Sequence, residues 1–235
     1  MTFLTPQEWD VLGLSLRVAF WSVLISLPPA VAVAMLLARG RFPGKTLFDA
    51  FVHLPLVLPP VVVGFLLLLL FGRQGPLGAL LDDWFGLVIA FKWTGAALAA
   101  AIMGFPLMVR AIRLSLESID LKLEAAARTL GADAMRVFLT VTLPLALPGI
   151  LTGMLLSFAR SLGEFGATIT FVSNIPGETQ TLPLAIYGYT QTPGGDVQAL
   201  RLSLIAVLLS LAALFISELL VRRATKRIMG HDAER

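Results

Sequence analysis

The sequence predicts an all-α integral membrane protein, a polytopic bundle of five transmembrane helices with room for a sixth. Hydrophobic residues make up 57% of the 235 residues and charged residues only 14%. Soluble domains are nearer ~45–50% apolar and ~25% charged. The apolar residues also gather into runs of about 20 residues, the length that crosses a bilayer. Lysine and arginine collect after alternate runs, which is typical of cytoplasmic loops.

Five apolar segments are long enough to be transmembrane helices. They cover residues 11–37, 50–72, 88–108, 143–161 and 202–221. Residues 1–10 are then a periplasmic N-terminal segment and residues 222–235 a cytosolic tail. Two shorter apolar stretches, near residues 77–81 and 182–189, could form short helices outside the membrane.

The positions of the cations predict the orientation of the chain. Three groups of basic residues follow the first, third and fifth spans, namely Arg39, Arg41 and Lys45; Arg110, Arg113, Lys122, Arg128 and Arg136; and Arg222, Arg223, Lys226, Arg227 and Arg235. The positive-inside rule then places the N-terminus outside and the C-terminus in the cytosol. Because no cluster is interleaved with aromatic residues, we expect no nucleic-acid partner.

Small and helix-breaking residues add detail to the spans. Pro28, Pro29, Pro55, Pro59 and Pro60 each remove a backbone donor from the first two spans. They either kink the helices for packing or break them along a transport pathway. In the fourth span, Gly149, Gly153, Ser157 and Ser161 recur every four residues. This ridge predicts a closely packed neighbouring helix.

The sequence gives little support for catalysis. It has no cysteine, and neither an H-E-x-x-H nor a G-x-S-x-G motif occurs in it. The segment from Gly40 to Thr46 resembles a phosphate-binding loop, but it has three residues between its glycines and that loop needs four. We therefore expect no catalytic residue, no bound metal and no cofactor in this chain.

The polar segment between the third and fourth spans predicts two helices joined by an elbow. Residues 120–130 are rich in helix formers, and Gly131 can take the left-handed conformation that ends a helix. Asp133 is placed to cap a second helix that runs to Thr142, where Leu143-Pro144 begins the next span. The residues alone leave open whether this elbow docks a partner or is a solvated connector.

This elbow resembles the coupling loop of permease subunits in ABC importers, whose pattern is E-A-A, three residues, G, nine residues, I-x-L-P. The resemblance assigns ATPase coupling to residues 117–142 and the start of the next span, through Glu124, Ala126, Ala127, Arg128, Gly131, Leu143 and Pro144. Val141 replaces the isoleucine. Glu124 stands one residue before the family's glutamate, which is about 100° around a helix.

A second motif resembles the oxyanion branch of these permeases, which carries molybdate, tungstate or sulfate. Its core is Arg160-x-x-Gly163-Glu164, followed by a loop through Asn174 to Gly177. This loop and residues 191–195 are most similar to molybdate permease subunits. A sulfate-type permease is the alternative, and a stand-alone channel or secondary carrier a more distant one. The resemblance covers roughly residues 12–218.

The resemblance implies a type I ABC importer permease fold in the bacterial cytoplasmic (inner) membrane. It also implies a second copy of the chain, two ATPase subunits that bind ATP and Mg²⁺, a periplasmic molybdate-binding protein and contact with membrane lipid. The ATPase activity would belong to the separate subunit, so the chain itself would not be an enzyme. Candidates for the translocation pathway or its gate are Arg160, Ser161, Gly163, Glu164 and Gly166. Arg160 and Glu164 form either an outer gate or a mutually neutralising pair.

Overall fold

The computed structural model describes residues 4–229 and confirms the all-helical prediction for them. Eleven α-helices and one π-helical turn lie in this part of the chain. They are α1 (Pro6–Arg39), α2 (Lys45–Val57), α3 (Pro60–Phe71), α4 (Pro76–Phe85), α5 (Trp93–Glu117), α6 (Leu121–Thr129), α7 (Ala134–Val137), the π-helical turn (Phe138–Thr142), α8 (Leu143–Leu162), α9 (Gly166–Val172), α10 (Leu182–Thr190) and α11 (Asp196–Met229).

The first span is longer than the sequence predicted, because a capping box starts α1 at Pro6. The Thr5 hydroxyl accepts from the backbone N–H of Glu8, and the Glu8 carboxylate accepts from the backbone N–H of Thr5. Pro28 and Pro29 lie inside this helix without ending it. The first span is therefore one continuous helix.

The second predicted span differs most from the prediction of a single segment. It consists of α2 and α3, which meet at an angle of 109°. Leu58 and Pro59 each precede a proline and have extended ψ angles of 142° and 131°. A residue before proline disfavours the helical conformation, and Leu58 and Pro59 both avoid it, so the helix breaks between them. Pro55, which lies inside α2, does not break it.

Within residues 4–229, four helical segments are long and apolar enough to cross a membrane, and the bent pair α2–α3 would be a fifth. The third span, α5, begins and ends later than predicted, at Trp93 and Glu117. The short apolar stretches are indeed helices, α4 and α10. Helix α11 continues to Met229, so residues 222–229 of the predicted tail are helical. Residues 1–3 and 230–235 of the predicted terminal segments lie outside the described part.

Helix α5 is the centre of the bundle, with α1 and α8 packed along it. The small-residue ridge of α8 makes this close approach possible. A Cβ atom on Gly149 would lie 2.1 Å from the Ser115 Cβ atom, and one on Gly153 would lie 3.0 Å from the Met108 carbonyl oxygen. The predicted close packing is thus present, and its partner is α5.

Candidate functional site

The predicted elbow is present, and its first helix is capped at both ends. The Asp120 carboxylate begins α6 by accepting from the backbone N–H of Lys122 at 2.9 Å. At the other end Gly131 has a φ of +87°. Its N–H donates to the Arg128 carbonyl oxygen, and the N–H of Ala132 donates to the Ala127 carbonyl oxygen. These two bonds form a Schellman motif, which requires the left-handed conformation at Gly131.

The second helix of the elbow does not end where the sequence predicted. Asp133 caps α7 as expected, by accepting from the backbone N–H of Arg136 at 2.7 Å. The chain then stays helical without a break from Ala134 to Leu162. Leu143 and Pro144 therefore lie in the first turn of α8 and do not separate two helices. The π-helical turn before them widens the helix where the Pro144 ring would clash with a preceding carbonyl.

Glu124 joins three distant parts of the chain. Its Oε1 atom lies 2.9 Å from a terminal guanidinium nitrogen of Arg39, at the end of α1. The same oxygen accepts a hydrogen bond from the Thr142 hydroxyl at 3.2 Å. The carboxylate thus ties α6 to α1 and to the helix that continues into α8. Neither partner could be predicted from the sequence, because Arg39 lies 85 residues away.

The elbow exposes apolar side chains that the sequence analysis did not single out. Leu130, beside the glycine cap, is 88% exposed, and Met135 is 64% exposed. Leu121, Leu123 and Leu139 are also exposed. Ala126 is exposed as well, whereas Ala127 is half-buried. Exposed leucines next to a glycine cap in a polar loop are the signal that could have indicated a contact surface.

The second motif forms a compact local unit at the end of α8. Arg160 and Glu164 form the predicted ion pair, with 2.7 Å between a terminal guanidinium nitrogen and Oε2. The Glu164 side chain is only 2% exposed, and that of Arg160 is 28% exposed. The other carboxylate oxygen, Oε1, accepts from the backbone N–H of Ala167 at 2.8 Å. Glu164 therefore neutralises an arginine and caps the start of α9.

The other gate candidates have separate environments. Ser161 is buried, and its hydroxyl oxygen lies 2.8 Å from that of Ser22 on α1. Gly163 is exposed where α8 ends. A Cβ atom on Gly166 would lie 2.8 Å from the Pro60 Cβ atom, so α9 approaches α3 closely there. Ser161 and Gly166 thus contact helices of the same chain.

The structure does not bring the two predicted sites together. The elbow precedes α8 and the Arg160–Glu164 pair lies at its end. Because α8 has 20 residues, the two sites are about 30 Å apart along the helix. This distance matches the thickness of the hydrocarbon core of a bilayer. Helix α8 connects the two sites, and α1, α5 and α11 pack against it.

Comparison with known proteins identifies the family. Residues 30–228 match the family described as binding-protein-dependent transport system inner membrane component. The chain belongs to this family. The permease is 61% identical over 224 residues to the molybdenum transport system permease protein ModB of Escherichia coli K12, covering 95% of this chain and 98% of that protein. The ModB protein of Haemophilus influenzae is also 61% identical, covering 94% of this chain and 97% of its own.

Two further comparisons extend the similarity to a sulfate permease and to a solved ABC transporter structure. The sulfate transport system permease protein CysT of Salmonella typhimurium is 36% identical, covering 96% of this chain and 84% of that protein. A bacterial alginate ABC transporter, crystallised with an alginate pentasaccharide-bound periplasmic protein, matches with a TM-score of 0.75 at 17% identity. That match covers 95% of this chain and 81% of the other, and it shows a shared ABC importer permease fold.

Proposed function

We propose that this chain is the permease subunit of an ATP-driven importer that moves molybdate across the bacterial inner membrane. The observation that carries the proposal is 61% identity to a molybdenum transport permease along 95% of this chain. Tungstate is a second substrate of the same class, because it is a dianion of nearly the same size and shape. The chain holds no cofactor of its own, and its energy comes from ATP and Mg²⁺ bound by a separate ATPase subunit.

The elbow is the proposed docking site for that ATPase. Its tip exposes Leu130 and Met135, apolar side chains that a partner would cover. The Schellman cap at Gly131 fixes the angle between the two helices of the elbow. Because the second helix is continuous with α8, a displacement of the elbow would move a membrane-spanning helix directly.

A second copy of the chain is proposed to complete the pathway. Four or five spans are too few to enclose a gated route within one chain. Helix α11 has an apolar surface that the protomer leaves largely uncovered, and Leu204, Leu208, Leu211 and Phe215 are each at least 55% exposed. Part of this surface would face the second copy and the rest membrane lipid.

The outer side of each copy is proposed to receive a periplasmic molybdate-binding protein. In this orientation the N-terminus is outside and the C-terminus is in the cytosol, as the positive-inside rule predicts. A cleft of about 290 Å³ then opens outward, and its mixed lining includes the polar side chains of Gln7, Asp10, Gln180 and Tyr189. Hydrogen-bonding groups of this kind suit a reversible protein contact.

The Arg160–Glu164 pair is the proposed outer gate of the anion path. Arg160 keeps partial exposure, so its guanidinium can attract a dianion. A bare arginine would hold the anion too tightly for release, and the neighbouring carboxylate weakens that attraction. Unchanged uptake kinetics in both the Arg160→Gln and the Glu164→Gln variants would show that the pair is not the outer gate.

Copurification of the ATPase tests the docking site. Gly131→Asp forces a side chain into a conformation with φ of +87°, which costs about 1–2 kcal/mol. Nothing lies within 4 Å of the added Cβ atom, so the strain stays in the elbow. We expect the ATPase to be lost from the purified complex. Gly177→Asp is the matched control, because Gly177 has a φ of +77° and equally open surroundings but lies in the loop after α9. Normal assembly of the Gly131→Asp variant would count against this docking site.

Uptake by a deletion strain tests the substrate. Cellular molybdenum at trace molybdate should fall sharply and recover when molybdate is supplied in excess. The sulfate-type alternative rests on the 36% identity to a sulfate permease. Loss of sulfate uptake with unchanged molybdenum would favour that alternative over molybdate.

A further inference from the structure

A basic cleft of about 690 Å³ opens beside the elbow, between the end of α1, the loop that follows it and α6. Four basic side chains and one acidic side chain line it, namely Arg39, Arg41, Lys45, Arg128 and Glu124. Four cations and one carboxylate give the lining a formal charge of +3. The cleft therefore attracts anions.

The cations of the cleft are only partly neutralised. Arg39 binds Glu124 through one terminal nitrogen, but its buried Nε atom has no hydrogen-bond acceptor among residues 4–229. Lys45 donates to the carbonyl oxygen of Gly40 at 3.2 Å. Arg41 and Arg128 are exposed, and neither forms an ion pair within the described part of the chain. The exposed guanidinium groups of Arg41 and Arg128 thus remain available to an anion.

One wall of the cleft is apolar and continuous with a membrane span. Met35 and Ala38 of α1 line it, together with Leu121 of α6. Next to Met35, Leu36 is 45% exposed on the surface of the candidate span. A free inorganic anion would use the charges of the cleft but not this wall. An anion that carries hydrocarbon chains would use both.

We infer that this cleft binds the phosphate of an anionic lipid from the cytoplasmic leaflet. A phosphodiester presents two free oxygens, which match the paired donors of a guanidinium. Basic pockets between spans at the cytoplasmic surface suit such headgroups, and the acyl chains would lie along α1. The inference rests on the proposed orientation, with the elbow in the cytosol. The lipid would bridge α1 and α6, the elements that Arg39 and Glu124 already join, and so would help to position the elbow.

Native mass spectrometry of the purified transporter with its ATPase tests the site. The complex is titrated with dioleoylphosphatidylglycerol and, separately, with dioleoylphosphatidylcholine. We expect the anionic lipid to be retained preferentially. Each cation removed should lower its apparent affinity about fivefold, and Arg41→Gln/Arg128→Gln together about 25-fold. Lys122→Gln is the matched control, because Lys122 also lies on α6 but does not line the cleft.

The possible results of this titration distinguish a lipid site from a free-phosphate site and from a protein contact. Equal loss of lipid in the double variant and in the Lys122→Gln control would overturn the site. Displacement of the lipid by inorganic phosphate, with no preference for phosphatidylglycerol, would make it a free-phosphate site instead. Retention of lipid only after the ATPase is stripped away would identify the cleft as a protein contact. If the ATPase fails to copurify with the unmodified chain, the proposed function itself fails, which the lipid titration does not test.

Discussion

Two glutamates, Glu124 on α6 before α8 and Glu164 just after α8, form ion pairs of similar length but differ in their surroundings. Glu164 binds Arg160 at 2.7 Å, and both of its partners lie within four residues. Glu124 binds Arg39 at 2.9 Å and Thr142 at 3.2 Å, across 85 and 18 residues. Glu164 is buried at 2% exposure, whereas the Glu124 side chain is 13% exposed. One pair is local and joins a buried carboxylate to an arginine that is 28% exposed. The other is long-range, and both of its side chains are partly exposed.

The two ion pairs differ in how much they contribute to the stability of the fold. Removing Arg160 would leave the buried Glu164 carboxylate without a compensating charge, which is costly. A pair near solvent contributes little, because water replaces the lost partner. Glu164 is therefore part of the rigid fold around the α8–α9 turn. Glu124 is a weaker tie that can hold the elbow to α1 and still allow it to move.

The largest expected effect comes from breaking the buried pair. Glu164→Ala removes both the Arg160 partner and the acceptor at the start of α9. We expect the free energy of unfolding to fall by about 1–3 kcal/mol, because hydrogen-bond acceptors are lost while the unpaired Arg160 keeps its contact with solvent. The measurement is thermal unfolding of the purified permease, followed by tryptophan fluorescence. The double variant Arg160→Met/Glu164→Leu, which removes both charges, should lose less. A melting temperature unchanged in Glu164→Ala would contradict the structural role of the pair.

A smaller effect, confined to assembly, is expected at the tip of the elbow. Leu130 is 88% exposed, so Leu130→Ser should leave the melting temperature of the permease unchanged. Loss of its contact should weaken ATPase binding by about 1.4 kcal/mol, which is roughly tenfold. Affinity for immobilised ATPase measures this. Val197→Ser is the control, because Val197 is 71% exposed at the start of α11. Equal affinity of the two variants would remove Leu130 from the contact surface.

The smallest expected effect comes from the long-range pair itself. Glu124→Gln weakens the bond to Arg39 and should lower the free energy of unfolding by at most about 1 kcal/mol. Stimulation of ATP hydrolysis by the loaded binding protein should nevertheless drop several-fold, because the tie between elbow and α1 is loosened. Asp49→Asn is the control, since it weakens a partly exposed pair with Arg113 that lies outside residues 117–142. Equal loss of stimulation in both variants would show that the effect is not specific to the Glu124–Arg39 pair.

Local features of the elbow and of the second motif were predictable from the sequence. The caps at Asp120 and Asp133, the left-handed Gly131 and the four-residue spacing of Arg160 and Glu164 depend on neighbours a few residues away. The end of the second elbow helix could not be predicted in the same way, because Leu143-Pro144 indicated a helix boundary there. The π-helical turn instead lets the helix continue past Pro144. Proline pairs also differ, since Pro28-Pro29 stays helical and Pro59-Pro60 does not.

Composition and short-range spacing were enough to predict the membrane class, the apolar runs, the polar elbow and the family resemblance. The tertiary structure decided which partner each charge meets. Arg39 reaches Glu124 only because α1 packs on α5 and α8, which brings the end of α1 beside α6. The same packing gathers Arg39, Arg41, Lys45 and Arg128 around one cleft. Contacts between residues this far apart depend on how the helices pack, which no local pattern specifies.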